Sequence, residues 1–197
     1  MKRGSMRLLA GVSALLAAGF CVCGRTTQSQ LGAAPALRAN ELTLAGLRPG
    51  RDTAAAVIAK YKKASRGGSE IEEYSWNDEC RHEVLYVAVG RSETLQEVRV
   101  AAARGKNNLK CAKPIRDPWR TGRNLAIGDP AKRVIAIYGE ADSRSPSSNG
   151  GQTLELLYYA FDWAGPDVPQ VMTVLCTLQA DGKPGRVVEI TLVASSL

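Results

Sequence analysis

Asp52-Thr-Ala-Ala-Ala-Val-Ile-Ala-Lys-Tyr61 aligns without a gap on Asp129-Pro-Ala-Lys-Arg-Val-Ile-Ala-Ile-Tyr138. Asp, Ala, Val, Ile, Ala and Tyr occupy identical positions in the two stretches. Ala54, Val57, Ile58 and Tyr61 recur at i, i+3, i+4 and i+7, as do Ala131, Val134, Ile135 and Tyr138, so each copy predicts a short helix with one apolar stripe. Asp52 and Asp129 stand where N-caps are expected, and Pro130 at the first helical position, where its missing N–H costs nothing. Gly139 stands just past the second helix, where a left-handed residue ends it.

Strand patterns follow each copy. Residues 71–76, 83–89 and 95–102 alternate apolar and polar after the first, with a turn at Gly90-Arg-Ser-Glu-Thr94. Residues 153–161, 171–179 and 187–194 do so after the second, with a turn at Ala180-Asp-Gly-Lys-Pro-Gly185, whose Asp-Gly is a strong hairpin signal. Glu97-Val-Arg-Val100 echoes Glu189-Ile-Thr-Leu192, with Val98, Val100, Val188, Ile190 and Leu192 facing inward and the two glutamates facing water. The Ser-, Gly- and Asn-rich stretch 143–151 reads as a mobile loop. The expected fold class is α+β: two tandem helix-plus-antiparallel-β-meander units, 42–103 and 124–197, packed together because neither sheet buries enough surface alone.

The 197-residue chain begins with Lys2, Arg3 and Arg7 and then an uninterrupted apolar and small run from Leu8 to Cys23. That is the layout of a secretory signal peptide, shorter than the roughly 20 residues that span a bilayer. Cleavage is expected after Gly24, with Ala36 as second choice; an uncleaved anchor and lipoprotein processing at Cys21 or Cys23 are the rivals. Residues 25–41 lack periodicity and read as a flexible tether. Without residues 1–24 the net charge falls from +7 to about +4, with 23 basic against 19 acidic residues.

Export permits disulfides. Of Cys80, Cys111 and Cys176, the first two flank the 83–102 hairpin, whose antiparallel strands bring its ends together. Cys176 alternates in phase with Met172, Val174 and Leu178 and reads as a free core thiol. A Cys80–Cys111 bond would close a loop of about 30 residues, worth roughly 3–4 kcal/mol in the chain-entropy account.

Charge is concentrated between the expected units. Residues 104–123 hold seven basic side chains against one acid, Asp117. Arg116, Trp119, Arg120 and Arg123 are therefore candidates for contact with an anionic surface, against the plainer reading of a solvated linker. Tyr158 and Tyr159, on the aromatic strand that runs on to Phe161, are candidate interface anchors, against the plainer reading of core residues.

Signals for catalysis are weak. The one histidine, His82, shares a strand face with Cys80, but two ligands do not make a zinc site. The pairs Glu72/Glu73 and Asp78/Glu79 are adjacent and point to opposite sides of a strand, so neither reads as a cooperating acid and base. Phosphate loops, nucleophile elbows and HExxH are missing from the sequence.

Gly46-Leu-Arg-Pro-Gly50 before the first helix, and Ile127-Gly-Asp-Pro-Ala131 leading to Tyr138-Gly-Glu-Ala-Asp142 in the second, resemble the opening of SmpA/BamE-like domains. Two such units in tandem resemble the β-lactamase inhibitor protein architecture. The resemblance implies an exported protein-binding class and carries over no functional residue. The chain departs from the assembly lipoproteins in lacking a clean lipobox, and from the tandem inhibitors in having cysteines for one disulfide at most. The combined expectation is an exported, monomeric, non-enzymatic protein without metal or cofactor. It would bind a protein partner in the envelope or outside the cell, with an anionic surface as a second contact and no nucleic acid. The alternatives are an envelope-anchored scaffold and a Cys/His-dependent exported enzyme.

Overall fold

The computed structural model describes residues 38–62, 65–67, 72–103 and 117–194, all within one compact unit spanning 35–197. Helix α1 is Ala54–Tyr61 and α2 is Ala131–Tyr138. The strands are β1 Ser65–Gly67, β2 Glu72–Asp78, β3 Glu83–Val89, β4 Leu95–Ala102, β5 Ser143–Asn149, β6 Gln152–Ala160, β7 Val171–Leu178 and β8 Pro184–Val193.

The expected pair of packed helix-plus-meander units is not what forms. All eight strands belong to one antiparallel sheet in the order β1-β2-β3-β4-β8-β7-β6-β5. The junction is the pairing of β4 with β8, in which Val98 lies opposite Leu192 and Val100 opposite Ile190. Each of these strands would otherwise be an edge with a row of unpaired N–H and C=O groups, and they carry the same inward alternation. Pairing them satisfies both backbones and runs the apolar rows on without a break.

One such row is Trp76, Leu85, Val100, Ile190, Val174 and Leu157, each opposite the next across neighbouring strands, and all are buried. Val57 of α1 and Ala131, Val134 and Tyr138 of α2 join the same cluster, so both helices cover one face of the sheet.

The helices form where expected but begin differently. Thr53, not Asp52, caps α1, its side chain accepting from Ala56 N at 3.3 Å. Asp52 instead accepts from Arg48 N at 2.8 Å, and Asp129 from Ala126 N at 2.9 Å, so both carboxylates close the turn before the helix. Those turns are stitched to strands in the same way: Leu95 N donates to Asp52 O, and Val187 N to Asp129 O. Pro130 is the N-cap of α2 rather than its first helical residue, and Gly139 ends that helix at φ 81°. In α1 the expected stripe is incomplete, because Ile58 is 41% exposed.

Other differences have local causes. Residues 143–151 were expected as a mobile loop, yet 143–149 form an edge strand paired with β6. Pro146 is tolerated there because an edge strand needs ladder bonds on one side only. Irregularities around Cys176 in the β7–β8 ladder shift the alternation, so Val187, not Val188, is buried. Residues 38–41, expected as part of a flexible tether, are held in the fold: Glu41 is buried, and Arg38 is paired with Asp142.

Candidate functional site

Among the described residues of the expected basic connection, Arg120 is a surface cation whose Nη1 donates to Asn124 Oδ1 at 2.8 Å. Trp119 is 2% exposed and meets Tyr61 edge to face at 6.4 Å, so it is a core residue rather than an anchor. Arg123 serves the fold, with Nε donating to Asn40 O at 2.7 Å and its backbone N–H donating to Glu41 Oε2. Arg116 lies outside the described residues.

The two tyrosines part company because neighbours on a strand face opposite ways. Tyr159 is buried, donates to Gly139 O at 3.1 Å and packs on Tyr138 with ring centroids 5.9 Å apart. Burial pushes its phenol up to about 12. Tyr158 is half-buried on the other side, opposite Thr173 of β7 and Ser143 of β5.

Cys80 is disulfide-bonded, whereas Cys176 is a free thiol sealed in the core, where burial pushes it up to about 12. Cys176 is thus not the partner of Cys80; Cys111, the expected one, lies outside the described residues. His82 is exposed, at φ 53°, in the turn between β2 and β3.

The expected residues do not converge. What the fold does assemble is the sheet face that neither helix covers. Its central row is Ser75, Tyr86, Arg99, Thr191, Thr173, Tyr158 and Ser143, each opposite the next across seven strands. The neighbouring rows on the buried side are apolar, so a step of one residue changes the chemistry completely. Arg99 lies 4.5 Å from the centre of the Tyr86 ring and 3.4 Å from carboxylate oxygens of both Glu73 and Glu97. Those partners hold a guanidinium over an aromatic ring.

At the end of β2, β3 and β4 this face opens into a cleft of about 510 Å³. Asp78, Glu79, His82, Glu83, Tyr86 and Arg99 are among its walls. Asp78 organises the turn: Oδ1 accepts from Cys80 N at 3.0 Å and Arg81 N at 3.1 Å, and Oδ2 from Arg81 Nη1 at 2.7 Å. Glu83 sits opposite Asp78 on the next strand. Burial, followed by the nearby Asp78 charge, raises its carboxyl to about 7 against the opposing pull of Arg81 and Arg120. In the sequence Asp78 and Glu83 are legible only as acids that flank a short turn. Their meeting on one face needs the β2–β3 register, which spacing alone does not supply.

No family model and no curated protein matches this chain. Among solved structures, a DUF4309 family protein from Bacillus subtilis is similar over 76% of this chain and 83% of its own, at 14% identity and a TM-score of 0.42. A cysteine-rich secretory protein from Staphylococcus aureus is similar over 76% of this chain, at 12% identity and a TM-score of 0.37; the match covers 48% of that protein. Neither likeness carries a function to this chain. The resemblance to SmpA/BamE-like domains rests on the short motifs alone.

Proposed function

We propose that this is an exported, non-enzymatic binding protein that holds a protein partner, in the cell envelope or outside the cell, on the sheet face that neither helix covers. The observation that carries the reading is the contrast between the two faces. One is closed by both helices over a continuous apolar cluster. The other presents Tyr86, Tyr158 and an arginine held over the Tyr86 ring, the residue types that anchor protein interfaces, set among serines and threonines.

Export rests on the basic start and apolar run within residues 1–24. Against the Cys/His-dependent alternative, Cys80 is held in a disulfide, and the remaining described thiol, Cys176, is buried and far from ionising.

The test is affinity capture from the native envelope using three baits. Tyr86→Ala with Tyr158→Ala on the open face should lose partners that the unaltered protein retains. Arg116→Ala with Arg120→Ala should retain them. The opposite pattern, with salt-sensitive loss only in the arginine variant, would move the contact to the basic connection.

A further inference from the structure

The turn before α1 and the loop from β6 to β7 enclose a second cleft, of about 550 Å³. Its walls are residues 48–51, residues 166–168 and Ala194, just past β8. Arg48 reaches from one side to the other: its Nη2 donates to the backbone oxygen of Asp167, so the guanidinium lies between the turn and the loop. Both sides are braced. Gly50 N donates to Leu95 O at 2.7 Å, which ties the turn to β4. Gln170 Nε2 donates to Gly165 O at 2.9 Å and to Val168 O at 3.0 Å, which holds the loop. Pro49 and Pro166 stiffen the two walls further.

The cleft has cations without counter-ions. Among the described residues, the half-buried arginines Arg38, Arg81, Arg99 and Arg133 each meet a carboxylate. Arg48 is half-buried too, yet its guanidinium meets only the Asp167 carbonyl, and its Nε is shut off from solvent without an acceptor. Arg51 is exposed in the same wall, and its side chain has neither a hydrogen bond nor an ion pair. A partly desolvated charge ordinarily has a partner, because its lost hydration must be replaced.

We propose that this cleft binds an oxyanion, the phosphate or carboxylate head of a small organic molecule or of a lipid, between Arg48 and Arg51. Arg48 keeps Nη1 for it, and Arg51 its whole fork. Guanidinium forks match both kinds of head, with two parallel N–H···O bonds each. A volume of about 550 Å³ leaves room for more than the head group. One carboxylate stands in the walls, that of Asp167, so the two guanidiniums keep a positive excess there. Asp52 is not in the walls, and its Oδ2 accepts from Arg48 N at 2.8 Å. The cleft shares no residue with the open-face row from Ser75 to Ser143, so it stands or falls apart from the protein partner proposed there.

The full chain is titrated calorimetrically at low ionic strength in Tris buffer with glycerol 3-phosphate and with N-acetyl-alanine, and with glycerol as the neutral control. Co-sedimentation with phosphatidylcholine vesicles, with and without phosphatidylglycerol, is measured beside it. Saturable binding of at least one anion is expected, with none of glycerol or of phosphatidylcholine alone. Binding of the soluble anions points to a soluble ligand, and binding of the phosphatidylglycerol vesicles alone to a lipid headgroup. Arg51→Gln should weaken binding about fivefold or more. Arg48→Lys, which keeps the charge and loses the fork, should weaken it as well. Asp167→Asn keeps the carbonyl that Arg48 holds and removes the opposing charge, so it should tighten binding about twofold or more. Arg91→Gln, at an exposed arginine of the β3–β4 turn, should leave it unchanged. Arg51 and Asp167 are exposed, so those two variants keep the test open should Arg48→Lys fold poorly. Absence of saturable binding by every anion, unchanged affinity in Arg51→Gln, or an equal loss in Arg91→Gln would overturn the proposal.

Discussion

The carboxylate of Glu41 accepts from the backbone amides of Leu42, Thr43, Gly122 and Arg123 and from the Tyr138 hydroxyl at 2.6 Å. It thereby ties residues 41–43 to the turn before α2 and to the end of that helix. Tyr138→Phe removes one donor and should cost about 1–2 kcal/mol in urea denaturation. Glu41→Ala orphans three amides, those of Leu42, Thr43 and Arg123, while Gly122 keeps its bond to Thr43 O; it should cost more, with faster proteolysis near Arg38. Glu83 gives a pH dependence whose sign is fixed by its raised carboxyl. Between pH 4.5 and about 7 the folded state holds a proton that the unfolded chain has lost, so stability falls as pH rises through that window. Denaturation at pH 5 and pH 8 should show a loss of at most about 3 kcal/mol from this group, and Glu83→Gln should flatten it. Sequence reading reached some of these residues and missed others for clear reasons. Cys176 was legible as a core thiol because strand alternation fixes its face. Glu41 was not, since its partners are amides 81 and 82 residues away, and a lone glutamate in an aperiodic stretch looks solvated.

Among the elements, the two helices share a sequence pattern but not its burial. Val57 is buried on α1 while Ile58 is exposed, whereas α2 buries three of its stripe residues. Val57→Ala should therefore cost about 1–3 kcal/mol, and Ile58→Ala should stay within about 0.5 kcal/mol; thermal melts of the two variants separate them. Helices and hairpins were legible because their periodicity is local. Strand β5 was not, because an edge strand of serines around Pro146 has no apolar face to display. The β4–β8 pairing was visible only as two similar sequences, Glu97-Val-Arg-Val100 and Glu189-Ile-Thr-Leu192. Similar strands in two separate meanders and similar strands paired at a junction look alike in sequence, because hydrogen-bond partners leave no mark on either.

For the whole molecule, that junction decides what surface exists. With β4 and β8 paired, the two halves share one core, and the open face runs from Ser75 to Ser143 without interruption. The disulfide at Cys80 belongs to the same scale, since it anchors one end of the β3–β4 hairpin. Mass spectrometry of unreduced peptides should find Cys80 joined to Cys111, and Cys176 alkylated only after denaturation. The most direct test of the single sheet is residue-resolved native-state hydrogen exchange. The continuous sheet predicts that amides at the β4–β8 junction are protected as strongly as those between β3 and β4 and between β7 and β8, all released by one global opening. Junction amides that exchange as free edges, with the two halves opening at different free energies, would contradict it.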